Sequence, residues 1–228
     1  MVIFLAGVYE LSSHYDFNRP TILIGGLLGL GLTYMYPEIF HYAYPLPVFF
    51  LIILSTFWGR REWAGRSAFL ILFVLFFLLP SATSLIRLAE LTIGNIIMII
   101  WLLQLNDSFG LLFGKMLGKR HPFPKISPNK SLEGFLAGGV GIGIGIWLLH
   151  TYIPVLPSWD LSRDFALFAI FFVLGNAGDL LFSSLKRKLD IKDFGSILPG
   201  HGGVLDRFDN ILFVSPTLFL LIRLGLIL

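Results

Sequence analysis

Oily runs close to membrane thickness dominate this chain. They fall near residues 1–14, 21–36, 43–58, 67–86, 91–113, 134–153, 164–182 and 210–228, with short polar segments between them. A helix needs about 20 apolar residues to cross a bilayer core, within a range of about 17–25. In lipid every backbone N–H and C=O must be satisfied internally, so such a chain has little choice but a bundle of spanning helices. Composition agrees: 56% of the 228 residues are hydrophobic and 14% are charged, against roughly 25% charged in soluble domains. The 23 Phe and 24 Gly suit lipid-facing and closely packed helices. There is no cysteine, which excludes disulfides, thiolate chemistry and Cys-based metal sites. The expected fold is an all-α integral membrane protein, a polytopic bundle of about eight transmembrane segments.

Cations sort the loops. Residues 59–66 carry Arg60, Arg61 and Arg66. Residues 114–133 carry Lys115, Lys119, Arg120, Lys125 and Lys130 against the single acid Glu133. Residues 183–209 carry Lys186, Arg187, Lys188, Lys192 and Arg207. Residues 37–42 have no Lys or Arg, and 154–163 offer only Arg163, beside Asp160. The positive-inside rule puts the three basic loops in the cytoplasm, and eight spans then alternate with both chain ends on the far side. Pro80 is expected to kink or end the fourth span. Residues 1–13 lack a basic leader and contain Glu10, so no cleavable signal peptide is expected. The chain opens inside an apolar segment, and an upstream membrane segment is an expectation. The run "GGVGIGIGIW", Gly138 to Trp147, alternates glycine, yet its uncharged flanks favour a spanning helix with a small-residue packing face over a phosphate loop.

Several charges sit in or beside the oil. Asp179 lies in "FAIFFVLGNAGDLLF", where a carboxylate is expensive and faces a cavity or a partner. Asp179, Ser183, Lys186 and Arg187 follow i, i+4, i+7, i+8 spacing, one helical face if the helix reaches Arg187. Such a stripe suits a metal ion at one end and phosphates at the other; a snorkelling basic helix end explains its cations but not Asp179. Downstream, Pro199, Gly200, Gly202 and Gly203 mark a tight loop around His201. Asp206 and Asp209 then share a face at the start of an apolar run. Hard divalent ions such as Mg²⁺ bridge one or two carboxylates to substrate phosphates, although acids at a helix N-terminus also complement its dipole. Upstream, "NDSFGLLFGKMLGK" places Asp107 in a helix with Lys115 and Lys119 near its end. "KISPNKSLEG" adds Ser127, Lys130, Ser131 and Glu133. That loop also suits anionic headgroups, but such a role does not require Asp107. Carboxylates for a divalent cation and cations for polyphosphate, gathered at one membrane face, suggest phosphate chemistry on a lipid.

These residues carry a resemblance. Ser183, Lys186, Arg187, Lys192, Asp193, Pro199, His201, Gly202, Gly203, Asp206, Arg207 and Asp209 resemble, in spacing and type, the signature of the phosphatidate cytidylyltransferases. "GNAGDLLFSS" is similar to that family's Gly-Asp-Leu-x-Glu-Ser, with Phe182 in the Glu position. "NDSFGLLFGKMLGK" and "ISPNKSLEG" resemble two further family segments, with Gly110 and Leu111 replacing an Ala-Tyr pair and Ser131 replacing Thr. The likeness covers residues 95 to 228.

The resemblance implies transfer of a cytidylyl group from CTP to phosphatidate, giving CDP-diacylglycerol and pyrophosphate, by a homodimeric helical enzyme with a polar funnel open to the cytoplasm. A bacterial inner membrane is the expected location, and no nucleic acid partner is expected. Residues 1–90 are then N-terminal spans serving as scaffold and dimer contact, and 91–228 the catalytic region with cytoplasmic loops 114–133 and 183–209. Asp179, Ser183, Lys186, Arg187, His201, Asp206, Arg207 and Asp209 are the expected catalytic set. Asp179, Asp206 and Asp209 are the expected ligands of Mg²⁺, with a second cation allowed. Asp107, Lys115, Lys119, Ser127, Lys130, Glu133, Lys192, Gly202 and Gly203 are the expected substrate contacts. Rival readings are a CTP-dependent polyprenol or phytol kinase, an ion-coupled transporter lined by Asp107 and Asp179, and an inactive scaffold.

Overall fold

A computed structural model describes residues 2–13, 31, 77–152, 156, 159–195 and 202–227. The expected spans at 21–36 (apart from residue 31) and 43–58, the basic loop at 59–66, the first half of the span at 67–86, and Pro199, Gly200 and His201 lie outside the described residues. Among the described residues every regular element is a helix. In chain order these are α1 (Val2–Ser13), α2 (Leu79–Leu91), α3 (Ile93–Leu117), α4 (Leu132–Tyr152), α5 (Leu161–Leu189) and α6 (Leu205–Arg223).

Three of them, α3, α4 and α5 through Arg187, are long and apolar enough to cross a membrane. The 21 residues of α4 rise about 32 Å at 1.5 Å each, close to a hydrocarbon core of about 30 Å. Pro80 does not end a helix: it sits in the first turn of α2, which directly follows Phe77 and Leu78, wound as a π turn, so the helical path runs on through it. The break before α3 comes at extended Thr92, bridged by the Asn95 amide donating to the Leu88 carbonyl at 3.2 Å. α5 starts on Asp160, whose carboxylate accepts from the N–H groups of Ser162 and Arg163. The Ser162 hydroxyl, then the Arg163 N–H, hold the Asp160 carboxyl below its ordinary value of 3.8. α5 ends where Asp190 turns left-handed at φ 62° and Ile191 N–H reaches back to Lys186 O at 3.0 Å.

Glycine lets α3 and α4 touch backbone to backbone. A Cβ on Gly134 would stand 2.7 Å from the Gly110 carbonyl oxygen, and one on Gly138 2.5 Å from Asn106 Oδ1. Cβ atoms on Gly141 and Gly145 would each meet α3 at 2.7 Å, while one on Gly143 would meet nothing within 4 Å. The packing face is therefore 134, 138, 141, 145, a helical period, and not the alternate glycines that catch the eye. Elsewhere the core is large side chains. Val8, Phe182, Phe194, Leu205 and Phe213 tie α1, α5 and α6 together. A second cluster, including Met98, Leu102, Ile146, Phe171 and Leu218, joins α3 through α6.

From α3 to α6 the chain reverses at each connection, so segment 118–131 and the described residues 190–195 and 202–204 lie at one end of the bundle. The opposite end is capped by His150, stacked on Trp159 at 3.9 Å and hydrogen-bonded to Asp164 at 3.1 Å.

Candidate active site

At the first end, α5 is helical through Leu189, so Asp179, Ser183, Lys186 and Arg187 do share a face. Ser183 Oγ donates to Asp179 Oδ1 at 3.4 Å. The other carboxylate oxygen of Asp179 pairs with Lys130 Nζ, both side chains being about a third exposed (31% and 30%). Lys130 is delivered by a built loop. Its N–H donates to the Ser127 carbonyl at 3.2 Å. Ser131 Oγ accepts the Gly134 N–H at 3.1 Å, and Glu133 Oε2 accepts the N–H groups of Lys119 and Arg120 at 3.0 and 3.2 Å. Ser127, Ser131 and Glu133 thus shape the loop that holds Lys130. Lys115 and Lys119 are exposed near the end of α3.

Asp107 is held by amides. Asn106 Nδ2 donates to its Oδ1 and Asn210 Nδ2 to its Oδ2, each at 3.2 Å. Asn176 Nδ2 donates in turn to Asn106 Oδ1 at 3.3 Å. Three helices, α3, α5 and α6, therefore fix one carboxylate. Asp209 is buried and its Oδ1 accepts the Asn210 N–H at 2.8 Å.

Asp206 is engaged differently. Lys186 Nζ donates to its Oδ1 at 2.8 Å, and its Oδ2 accepts the N–H groups of Phe194 at 2.8 Å and Gly203 at 3.0 Å. The pair is nearly dry, at 16% and 8% side-chain exposure. Removing one partner of such a pair strands the other charge, at a typical cost of about 3–5 kcal/mol. Gly202 turns left-handed at φ 80°, which a side chain rarely tolerates. Arg187, Lys192 and Arg207 are exposed.

Between α3, α4 and α5 opens a cavity of about 1150 Å³. Asp107, Lys115, Lys130 and Asp179 line its polar part, and Leu111, Leu132, Phe135, Val173 and Leu180 its apolar part. Of the polar residues singled out from sequence, those four and Ser131 meet there. Ser127 and Glu133 act one step away, on the loop that carries Lys130, while Asp206 and Gly203 lie outside the cavity lining, in the connection between α5 and α6.

Sequence reasoning passed over Asn106, Asn176, Asn210 and the cavity residues His121 and Phe123. Asn176, a polar residue in an apolar run one turn before Asp179, was open to the same rule that found Asp179. It also passed over the site contact of Glu10, which accepts the N–H groups of Val204 and Leu205.

The oxygen donors of Asp107, Asp179 and Asp209 are of the kind that suits a hard cation. Among the described residues no three His, Cys, Asp or Glu side chains form a ready cage. The donor set thus fits an ion completed by substrate phosphates rather than one held by protein alone.

Over residues 8–225 the chain matches the model of the cytidylyltransferase family. A Bacillus subtilis (strain 168) protein named phosphatidate cytidylyltransferase is 47% identical over 121 residues, 52% of this chain and 44% of that protein. A protein of the same name from Aquifex aeolicus (strain VF5) is 34% identical over 186 residues, 82% of this chain and 69% of that protein. An Escherichia coli (strain K12) relative, called uncharacterized protein YnbB, is 36% identical over 151 residues, 64% of this chain and 50% of that protein. The chain spans less than half of the Bacillus relative's length.

Proposed function

Since this chain belongs to the cytidylyltransferase family, we propose that it transfers the cytidylyl group of CTP to phosphatidate, giving CDP-diacylglycerol and pyrophosphate. The observation that carries the reading is the two-natured cavity. Its cations and carboxylates adjoin an apolar wall of Leu111, Phe135 and Val173 at the end of three candidate membrane helices. A substrate with a phosphate head and acyl tails needs that combination. In the reaction an ionised oxygen of the lipid phosphate forms a bond to the α-phosphorus of CTP. The bond from that phosphorus to the bridging oxygen breaks, and pyrophosphate leaves with the electron pair. No strong base is required, because the nucleophile is already ionised. The protein's task is positioning and charge neutralisation.

In this reading Lys130 and Lys115 bind phosphate oxygens, and Asp107 orients the nucleotide end. Lys186 acts through Asp206 on the loop, while Arg187 and Arg207 supply cations at the rim. Asp179 and Asp209 would hold Mg²⁺, which would supply charge neutralisation for the phosphates when bound. Asp206, with both oxygens engaged, serves better as the clamp of the loop. The cytoplasmic orientation of the site is supported by the basic loops. The homodimeric state is supported by the family resemblance alone.

The test follows α-³²P from CTP. Detergent-solubilised chain given phosphatidate and Mg²⁺ should carry the label into the lipid phase. Label left in CDP, with an alcohol phosphorylated instead, would identify a lipid kinase. No turnover of CTP with either acceptor would sink an enzymatic reading. Asp179→Asn and Asp209→Asn should each lower kcat at least about 100-fold, the scale of losing a transition-state charge partner, with expression unchanged. Wild-type activity in both would overturn the cation assignment.

A further inference from the structure

Glu10 lies in α1, and its side chain is 1% exposed. Its Oε1 accepts the Val204 N–H at 2.7 Å and its Oε2 the Leu205 N–H at 3.0 Å. Those are the cap and first N–H groups of α6, whose cap residue, Val204, offers no side-chain hydrogen bond. Every helix leaves its first N–H groups without partners inside the helix, and here the partner arrives from 194 residues away. The preceding N–H, of Gly203, is taken by Asp206 Oδ2. Two carboxylates thus hold three successive N–H groups.

The surroundings are shaped to the Glu10 carboxylate. A Cβ on Gly195 would come within 2.6 Å of it, and one on Gly203 within 2.7 Å. One turn earlier, a Cβ on Gly7 would press on Leu205 at 2.9 Å, so α1 itself lies tight against the start of α6. The second glycine of the "HGG" run therefore has a steric reason: it leaves room for Glu10. The negative charge also meets the positive end of the α6 dipole. That first turn carries Asp206 and Arg207, and Asp209 follows directly.

We propose that Glu10 is a positioning residue for the site, setting the register of α6 and so the placement of Asp206, Arg207 and Asp209. The proposal rests on the cytidylyltransferase reading for its kinetic consequence but not for its structural one. Glu10→Gln keeps the size of the side chain and one acceptor, and turns an NH₂ toward the second N–H. Hydrogen exchange of amides 203–208 should then quicken about tenfold or more, the scale of losing one charge-assisted hydrogen bond. In the α-³²P assay kcat, per site that binds a non-reacting CTP analogue, should fall about 10- to 100-fold, as a misplacement near 1 Å does. KM for CTP should stay within about threefold, the pattern of a lost transition-state interaction. Glu10→Asp, with both acceptors on a shorter stem, should recover part of kcat.

Unchanged exchange in Glu10→Gln would overturn the proposal. So would quickened exchange with wild-type kcat per binding site, the signature of a merely structural residue. If Glu10→Gln yields no folded protein, Glu10→Asp is measured in the same way, and wild-type exchange and kcat in it overturn the proposal. A wild-type chain without cytidylyl transfer would instead sink the activity reading, and the exchange arm would still decide the role of Glu10.

Discussion

At the scale of single residues, Phe182 stands where the resembled signature has Glu, and its place is plain. It is 0% exposed, edge-on to Phe77 at 5.7 Å and to Phe194 at 5.8 Å. It belongs to the core under the site and not to the polar rim. Phe182→Ala should lower stability by about 3–5 kcal/mol, as such truncations do in packed cores. Phe182→Glu should lower it further, because the buried carboxylate would lack a cation. Phe182→Leu should keep near-normal kcat per folded molecule. Thermal unfolding in detergent followed by fluorescence reads the first two, and the labelled-CTP assay reads the third. A stable, more active Phe182→Glu would mean that the position faces the site after all. Single residues were also the most legible feature of the sequence when they were acids. Asp179 stands out because a carboxylate in oil needs an explanation. The three asparagines that cradle Asp107 are quieter, since an amide in a membrane helix is far less costly and no charge marks it. Glu10 was visible as an acid in an apolar run, but its partners lie 194 and 195 positions away, and spacing carries no information over that distance.

At the scale of elements, helix existence was legible and helix ends were not. Apolar length sufficed for α3, α4 and α5. The π turn at Phe77 and Leu78 that leads into Pro80 is not something hydropathy encodes. The glycine pattern of α4 was likewise half legible. A small-residue face was expected, but alternate spacing hid which glycines form it. The structure separates them cleanly. Gly141→Ala should push α4 from α3, because its Cβ would stand 2.7 Å from the Leu105 carbonyl oxygen. The expected loss is about 1–3 kcal/mol, typical of overpacking. Gly143→Ala meets nothing within 4 Å and should be neutral or stabilising by up to about 1 kcal/mol through helix propensity. Comparing the melting temperatures of the two variants checks this, and equal shifts would contradict the packing.

At the scale of the whole molecule, the described helices alternate direction, with the basic segment 118–131 at one end and Trp159 at the other. The absence of cysteine makes a single introduced thiol unambiguous. Lys125→Cys and Trp159→Cys, both at exposed positions, should react from opposite sides of the membrane. In spheroplasts a membrane-impermeant maleimide should label Trp159→Cys and spare Lys125→Cys until the membrane is opened. The reverse pattern would turn the site to the far side. At the site itself, Lys130 and Asp179 occupy one another. On the proposed reading, a phosphate that draws Lys130 away would bare Asp179 for a cation, and a cation on Asp179 would free Lys130 for a phosphate. Linkage makes such an exchange reciprocal. Nucleotide and cation would then raise each other's affinity by the same factor, and either one alone would have to displace a partner of the protein's own.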